Sequence, residues 1–140
     1  MPDEDIQAAH QVVLYVCATC RLAGDTSEPR AGARLVSALR DAVAEAGTAG
    51  VAVESVDCLS VCKRPCTVAV ASEGRWTYVY GDLDPIESAK TILAGIGLYA
   101  ETPDGLVPWK ARPEAFRKGV VARIPPFPPP SADRISDAAE

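Results

Sequence analysis

Two short apolar runs, Val12-Val13-Leu14-Tyr15-Val16 and Val51-Ala52-Val53-Glu54-Ser55-Val56, flank a stretch of helical periodicity, and that order constrains the fold of this chain more than any other feature. The first run is continuous and β-branched, which reads as a buried central strand. Across Arg30 to Ala46, the residues Val36, Leu39, Val43 and Ala46 recur at helical spacing, while Arg34, Arg40, Asp41 and Glu45 are free to face water. Pro29 suits the first helical turn with Ser27 as its cap, and Gly47 closes the helix. A crossover through one helix makes the two strands parallel and right-handed, so both C-terminal ends lie at one edge of the sheet.

That edge is where the cysteines fall. Cys17 and Cys20 follow the first strand, and Cys58 follows the second, opening Cys58-Leu59-Ser60-Val61-Cys62-Lys63-Arg64-Pro65-Cys66. Three thiols so close are poor packing residues and good ligands, because a soft metal or an iron-sulfur cluster needs several thiolates converging on one point. The five cysteines are an odd number, which a closed disulfide framework cannot satisfy and a four-ligand site with one extra thiol can. The acidic start, Met1-Pro2-Asp3-Glu4-Asp5, lacks the positive and apolar regions of a secretory signal, so a reducing compartment, the cytoplasm, is expected. The lone His10 reads as a solvated residue of a polar terminus. An all-sulfur donor set favours an iron-sulfur cluster or zinc over harder cations.

The rest of the chain supplies a scaffold. Thr67 to Ala71 and Arg75 to Tyr80 read as strands joined through Ser72-Glu73-Gly74, with Trp76, Tyr78 and Tyr80 on one face. Asp84-Pro85-Ile86-Glu87 is a helix start, followed by a buried stripe of Ile86, Ala89, Leu93 and Ile96 and an end near Gly97. The order β, α, β, β, β, α predicts an α/β, thioredoxin-like fold: a βαβ unit, a β-hairpin, a closing helix and an irregular C-terminal extension. Residues 1–11 are expected to form a disordered lead-in and 12–100 the domain. Residues 101–126 form an irregular basic extension, with one helical turn at Pro113 to Gly119, resting on the aromatic face through Trp109 and Phe116. Residues 127–140 form a proline-rich disordered tail.

Composition excludes several classes of function. At a net charge of −5 the chain is a poor partner for nucleic acid, although residues 106–126 carry five bases against Glu114 alone. No apolar stretch is long enough to span a membrane. There is no nucleophile elbow, catalytic triad or phosphate loop, so an enzyme is not expected. Lys63 and Arg64, beside Cys62, are placed either to stabilise a reduced, more negative centre or to dock an acidic partner.

CxxC after the first strand, then CLSVC before a proline and a strand, resembles the thioredoxin-like [2Fe-2S] ferredoxins and the related small subunit of NADH dehydrogenases over residues 12 to 97. The VCATCR, WTYVYGDLDP, PDGLVPW and RKGVVARIPP stretches are similar to a bacterial family of predicted metal-binding proteins related to those ferredoxins. The resemblance implies Cys17, Cys20, Cys58 and Cys62 as ligands of a [2Fe-2S] cluster and a one-electron carrier with a redox protein as partner. A homodimer and a link to cobalamin synthesis are further expectations. The first pair is spaced more closely than in those ferredoxins, and Cys66 stands where they carry proline or a small residue. A set with Cys66 in place of Cys20 or Cys62 therefore stays open. Two other readings stand beside it: a zinc-binding or metal-carrier protein on the same thiols, and a thiol-disulfide oxidoreductase using Cys17 and Cys20. The loop Leu22 to Glu28 argues against the last, since it separates Cys20 from the helix N-terminus in sequence.

Overall fold

The computed structural model of the chain describes residues 12–22, 24–47, 50–61, 63–85 and 87–127. The readings made for residues 1–11 and 128–140, including His10, and for Cys62 and Ile86, lie outside the described residues. Five strands, β1 (Val12–Cys17), β2 (Val51–Val56), β3 (Val68–Ala71), β4 (Thr77–Tyr80) and β5 (Val120–Ile124), form one sheet in the order β2-β1-β3-β4-β5. Helix α1 (Ala31–Ala46) lies between β1 and β2, α2 (Ser88–Glu101) follows β4, and α3 (Glu114–Lys118) precedes β5. As the crossover requires, β1 and β2 are parallel, with Val12 opposite Val51 and Cys17 opposite Val56; every other pair is antiparallel.

The core forms on one face of this sheet. Val12, Leu14 and Val16 of β1, Val68 and Val70 of β3, and Tyr78 and Tyr80 of β4 pack against Leu35 and Leu39 of α1 and Ile92 and Ile96 of α2. β1 is central, as its apolar run predicts, yet it is not buried on both faces throughout: Val13 is half-buried and Tyr15 exposed on the opposite face, and only at its end are the neighbours Val16 and Cys17 both buried. The buried stripe of α1 is Ala31, Gly32, Leu35, Val36 and Leu39, and Val43 and Ala46, expected in it, are half-buried and exposed. The helix faces the sheet through its first half, beside the thiol edge. α2 runs past Gly97 to Glu101 because its last turn is anchored: the Tyr99 hydroxyl donates to the Trp76 carbonyl at 2.5 Å. It begins later than expected: Asp84 and Pro85 lie in a turn, where the Glu87 N–H donates to Asp84 Oδ1 at 2.7 Å and the Asp84 N–H to the Ser88 hydroxyl at 2.8 Å, and the helix starts at Ser88 with no side-chain cap at Glu87.

The segment expected to be an irregular extension is regular in part. After a 3-10 turn at Trp109–Ala111, it forms α3 and then β5, which pairs with β4 from Thr77↔Ile124 to Tyr80↔Val120 around an irregularity at Val79/Tyr80. The physical reason is that β4 would otherwise be a bare sheet edge, and Val-Val-Ala-Arg-Ile is β-prone enough to complete it. Phe116 rests on the tyrosine face as expected, its ring stacked 3.8 Å from that of Tyr80 at 8°. Trp109 does not; it is 56% exposed, and the Arg112 guanidinium lies between it and Tyr78, 5.3 and 5.1 Å from the two ring centres. Arg112 is buried there because it donates to the Val107 carbonyl at 3.0 Å and to the Tyr78 hydroxyl at 3.2 Å.

Candidate metal centre

At the C-terminal end of β1 the chain turns so that Cys17 and Cys20 face each other. Their sulfurs are 3.0 Å apart, with the Cys20 thiol donating to Cys17, and both residues are buried. Three neighbours fix this turn. The Cys17 N–H donates to the Thr67 carbonyl at 3.0 Å, which ties it to the residue before β3. The Ala18 N–H donates to the Val56 carbonyl at 2.8 Å, which ties it to the end of β2. On the third side α1 begins: the Gly32 N–H donates to the Cys20 carbonyl at 3.0 Å, and a Cβ at Gly32 would overlap the Cys17 carbonyl oxygen.

This last contact corrects the expectation that the loop keeps the thiol pair away from the helix. The loop folds outward and closes on itself: the Ser27 N–H and hydroxyl donate to Asp25 Oδ1 at 2.9 and 2.6 Å, and Arg34 of α1 pairs with Asp25 Oδ2 at 2.6 Å. Ser27 therefore serves a local turn, and Arg30, without a side-chain cap, precedes the helix. Pro29 falls just before Arg30 rather than in the first turn. Arg34, expected to face water, is instead half-buried. With the loop out of the way, the first turn of α1 and its partial positive charge pack against the backbone of the pair.

The second cysteine group approaches from the ends of β2 and β3. The Asp57 carbonyl accepts from the Thr19 hydroxyl and, at 3.8 Å, from the Cys17 thiol, while the Leu59 N–H is directed at the Cys17 sulfur. Cys58, between them, is exposed, and its sulfur accepts the Ser60 N–H at 3.2 Å. Cys66 is fully buried, and its N–H and that of Thr67 are directed at the Cys20 sulfur. Among the described residues no three thiol, imidazole or carboxylate side chains converge on one point. Cys17 and Cys20 are brought together, Cys66 is buried beside them, Cys58 lies on the exposed rim, and Cys62 falls outside the described residues.

The surroundings tell the thiols apart. Burial works against ionisation of Cys17, but donation from the Cys20 thiol, the Leu59 N–H and Thr19 outweighs it and holds Cys17 below the ordinary thiol range. Burial, and then its donation to Cys17, push Cys20 up. Burial pushes Cys66 up to about 12, with the Cys20 sulfur adding to the effect. The donor set and its N–H partners suit a soft cation or a sulfide cluster, which gathers negative charge on sulfur.

Two residues matter here in ways the sequence does not signal. Gly32 makes the close backbone contact with Cys17 described above, and Arg64 is expected from the sequence to stabilise a reduced centre or dock an acidic partner. Its guanidinium instead turns inward, donating to Asp82 Oδ2 at 2.7 Å and to the Lys118 and Val120 carbonyls at 2.9 and 3.2 Å. Lys63 beside it is exposed.

Comparison with known proteins agrees with the architecture. A thioredoxin-like [2Fe-2S] ferredoxin from Aquifex aeolicus is similar in fold, with a TM-score of 0.53 and 17% identity over 85% of this chain and 98% of that one. A wild-type thioredoxin-like [2Fe-2S] ferredoxin structure from the same organism gives a TM-score of 0.45 and 18% identity, covering 61% and 84%. No curated protein matches by sequence. No helix among the described residues is long and apolar enough to cross a membrane. Over residues 14–126 the chain matches the family described as a protein of unknown function, DUF1636, and it belongs to that family.

Proposed function

We propose that this protein holds a [2Fe-2S] cluster at the thiol edge of its sheet and serves as a one-electron carrier. The observation that carries this reading is the Cys17–Cys20 pair: two buried sulfurs 3.0 Å apart, reached by backbone N–H groups from the loop that bears the other cysteines. Cys17, Cys20, Cys58 and Cys62 are the proposed ligands, with Cys66 as the alternate. When bound, such a cluster accepts and releases a single electron. The chain's own contribution is to hold the thiolates, to donate N–H groups to sulfur, and to keep water from Cys17, Cys20 and Cys66. The fold shared with a [2Fe-2S] ferredoxin supports the reading.

Anaerobic purification followed by visible spectra and iron, sulfide and zinc analysis, before and after dithionite, tests it. About two irons and two sulfides per chain, with colour that bleaches on reduction, is the expected result. Serine at Cys17 or Cys58 should then abolish normal cluster content, and an intact cluster in either variant would sink that ligand assignment. A colourless protein with one zinc would replace the cluster by a zinc site.

A second reading rests on the unequal thiols. With Cys17 below and Cys20 above the ordinary range, next to a helix N-terminus, the pair has the asymmetry of a reactive dithiol. It would reduce a disulfide substrate to two thiols, giving up two electrons and two protons as the Cys17–Cys20 bond forms. A metal-free protein that reduces a model disulfide with Cys17 as the attacking thiol would favour it.

A further inference from the structure

We infer that Arg64 is a positioning residue for the cysteine loop, and that the C-terminal segment carrying α3 and β5 is the brace against which it works. The inference rests on the cluster reading above for its meaning, but its geometry stands alone. Arg64 lies between Cys62 and Cys66, and its side chain leaves that loop to meet three acceptors on two other parts of the chain: Asp82 after β4, and the Lys118 and Val120 carbonyls at the junction of α3 and β5.

The backbone joins the same knot. The Asp82 N–H donates to the Pro65 carbonyl at 2.9 Å, the Thr67 hydroxyl to the Arg64 carbonyl at 2.8 Å, and the Gly81 N–H to the Gly119 carbonyl at 2.8 Å. A Cβ at Gly81 would come within 2.8 Å of both the Arg64 Cβ and its carbonyl oxygen, so only glycine lets these strands of chain meet. Cys66 and Asp82 both hold positive φ, at 61° and 60°, a conformation that non-glycine residues keep only when their surroundings over-determine it. Arg64 is such a surrounding. Its planar fork offers a separate nitrogen to each of three spread oxygens, where a lysine offers a single one. The basic C-terminal segment thus has a task beyond closing the sheet: its two carbonyls hold the arginine that holds the cysteines.

The test compares Arg64→Ala, Arg64→Lys and Asp82→Asn with the wild type. In the metal-free, reduced protein, the rate at which iodoacetamide alkylates each cysteine under native conditions is read by mass spectrometry. Loss of the fork should speed alkylation of Cys66 by about tenfold or more, and by clearly more than that of Cys17 and Cys20, whose turn is also held by the end of β2 and the start of α1. Lysine should restore part of the protection. Asp82→Asn keeps both carbonyl contacts, so it should fold even if Arg64→Ala does not, and should speed Cys66 by about threefold. In the cluster-loaded protein, Arg64→Ala should also change the electron paramagnetic resonance signature of the reduced state, which a merely stabilising residue would leave alone. Equal acceleration at all three cysteines, or none at Cys66, would overturn the inference. If the wild type takes up no cluster, the cluster reading fails while the alkylation pattern still decides the role of Arg64.

Discussion

The turn carrying Cys17 and Cys20 and the loop from Cys58 to Cys66 sit at the same sheet edge but are held there by different means. The turn leaves a buried strand, has strand ends on two sides and meets the first turn of α1 backbone to backbone at Gly32. The loop depends on side-chain and backbone hydrogen bonds, positive φ at Ser60 and Cys66, and an arginine that reaches the far end of the chain. Packing is short-ranged and tolerates no added atom, whereas hydrogen-bonded loops give way locally before the whole molecule does. One half of the site is therefore fixed by backbone packing on three sides, and the other, although it ends in the buried Cys66, is a dependant of the C-terminal segment.

The largest expected effect comes from removing the anchor of that segment. Phe116 stacks on Tyr80 and fills the space left by Gly95, where a Cβ would overlap its ring. Phe116→Ala should cost about 3–5 kcal/mol in denaturant unfolding and should loosen the cysteine loop more than the Cys17 turn. Hydrogen exchange that slows or stays unchanged near Cys66 in this variant would break the comparison. Gly32→Ala attacks the other half. On an exposed helix the change would stabilise by roughly 1 kcal/mol, but the overlap with the Cys17 carbonyl should reverse the sign to a loss of about 1–3 kcal/mol. A gain in stability would show that the helix start is not in contact with the turn.

The smallest effect is confined to alkaline pH. Burial pushes Tyr99 up to about 12 from an ordinary value of 10, so the unfolded chain loses this proton before the folded one does. Stability should be fully present below pH 10 and fall as pH rises from there towards 12. Tyr99→Phe should flatten that fall without altering the alkylation of Cys17. A pH profile identical in the two proteins would remove Tyr99 from the account.

Local patterns announced much of this molecule. The β-branched run at Val12, the helical spacing of Val36 and Leu39, and the hairpin glycine at Gly74 each act over a few residues, and elements built on such signals are where they were expected. Phe116 was legible as a large apolar group needing cover. β5 was not legible, because Val120–Ile124 is short and becomes a strand only through the open edge of β4. Arg64 was misread for a related reason: next to cysteines and lysine it looks like surface charge, and its acceptors lie 18, 54 and 56 residues away.

What the sequence determined by itself was the crossover of parallel strands, and with it the meeting of Cys17, Cys20 and the Cys58 loop at one edge, since handedness and chain connectivity leave little other choice. What only the tertiary structure decided was how close each thiol comes, and what holds it. Burial, the contact of Gly32 with the Cys17 carbonyl and the reach of Arg64 to Lys118 and Val120 are properties of surfaces assembled from distant segments, and no local pattern encodes them.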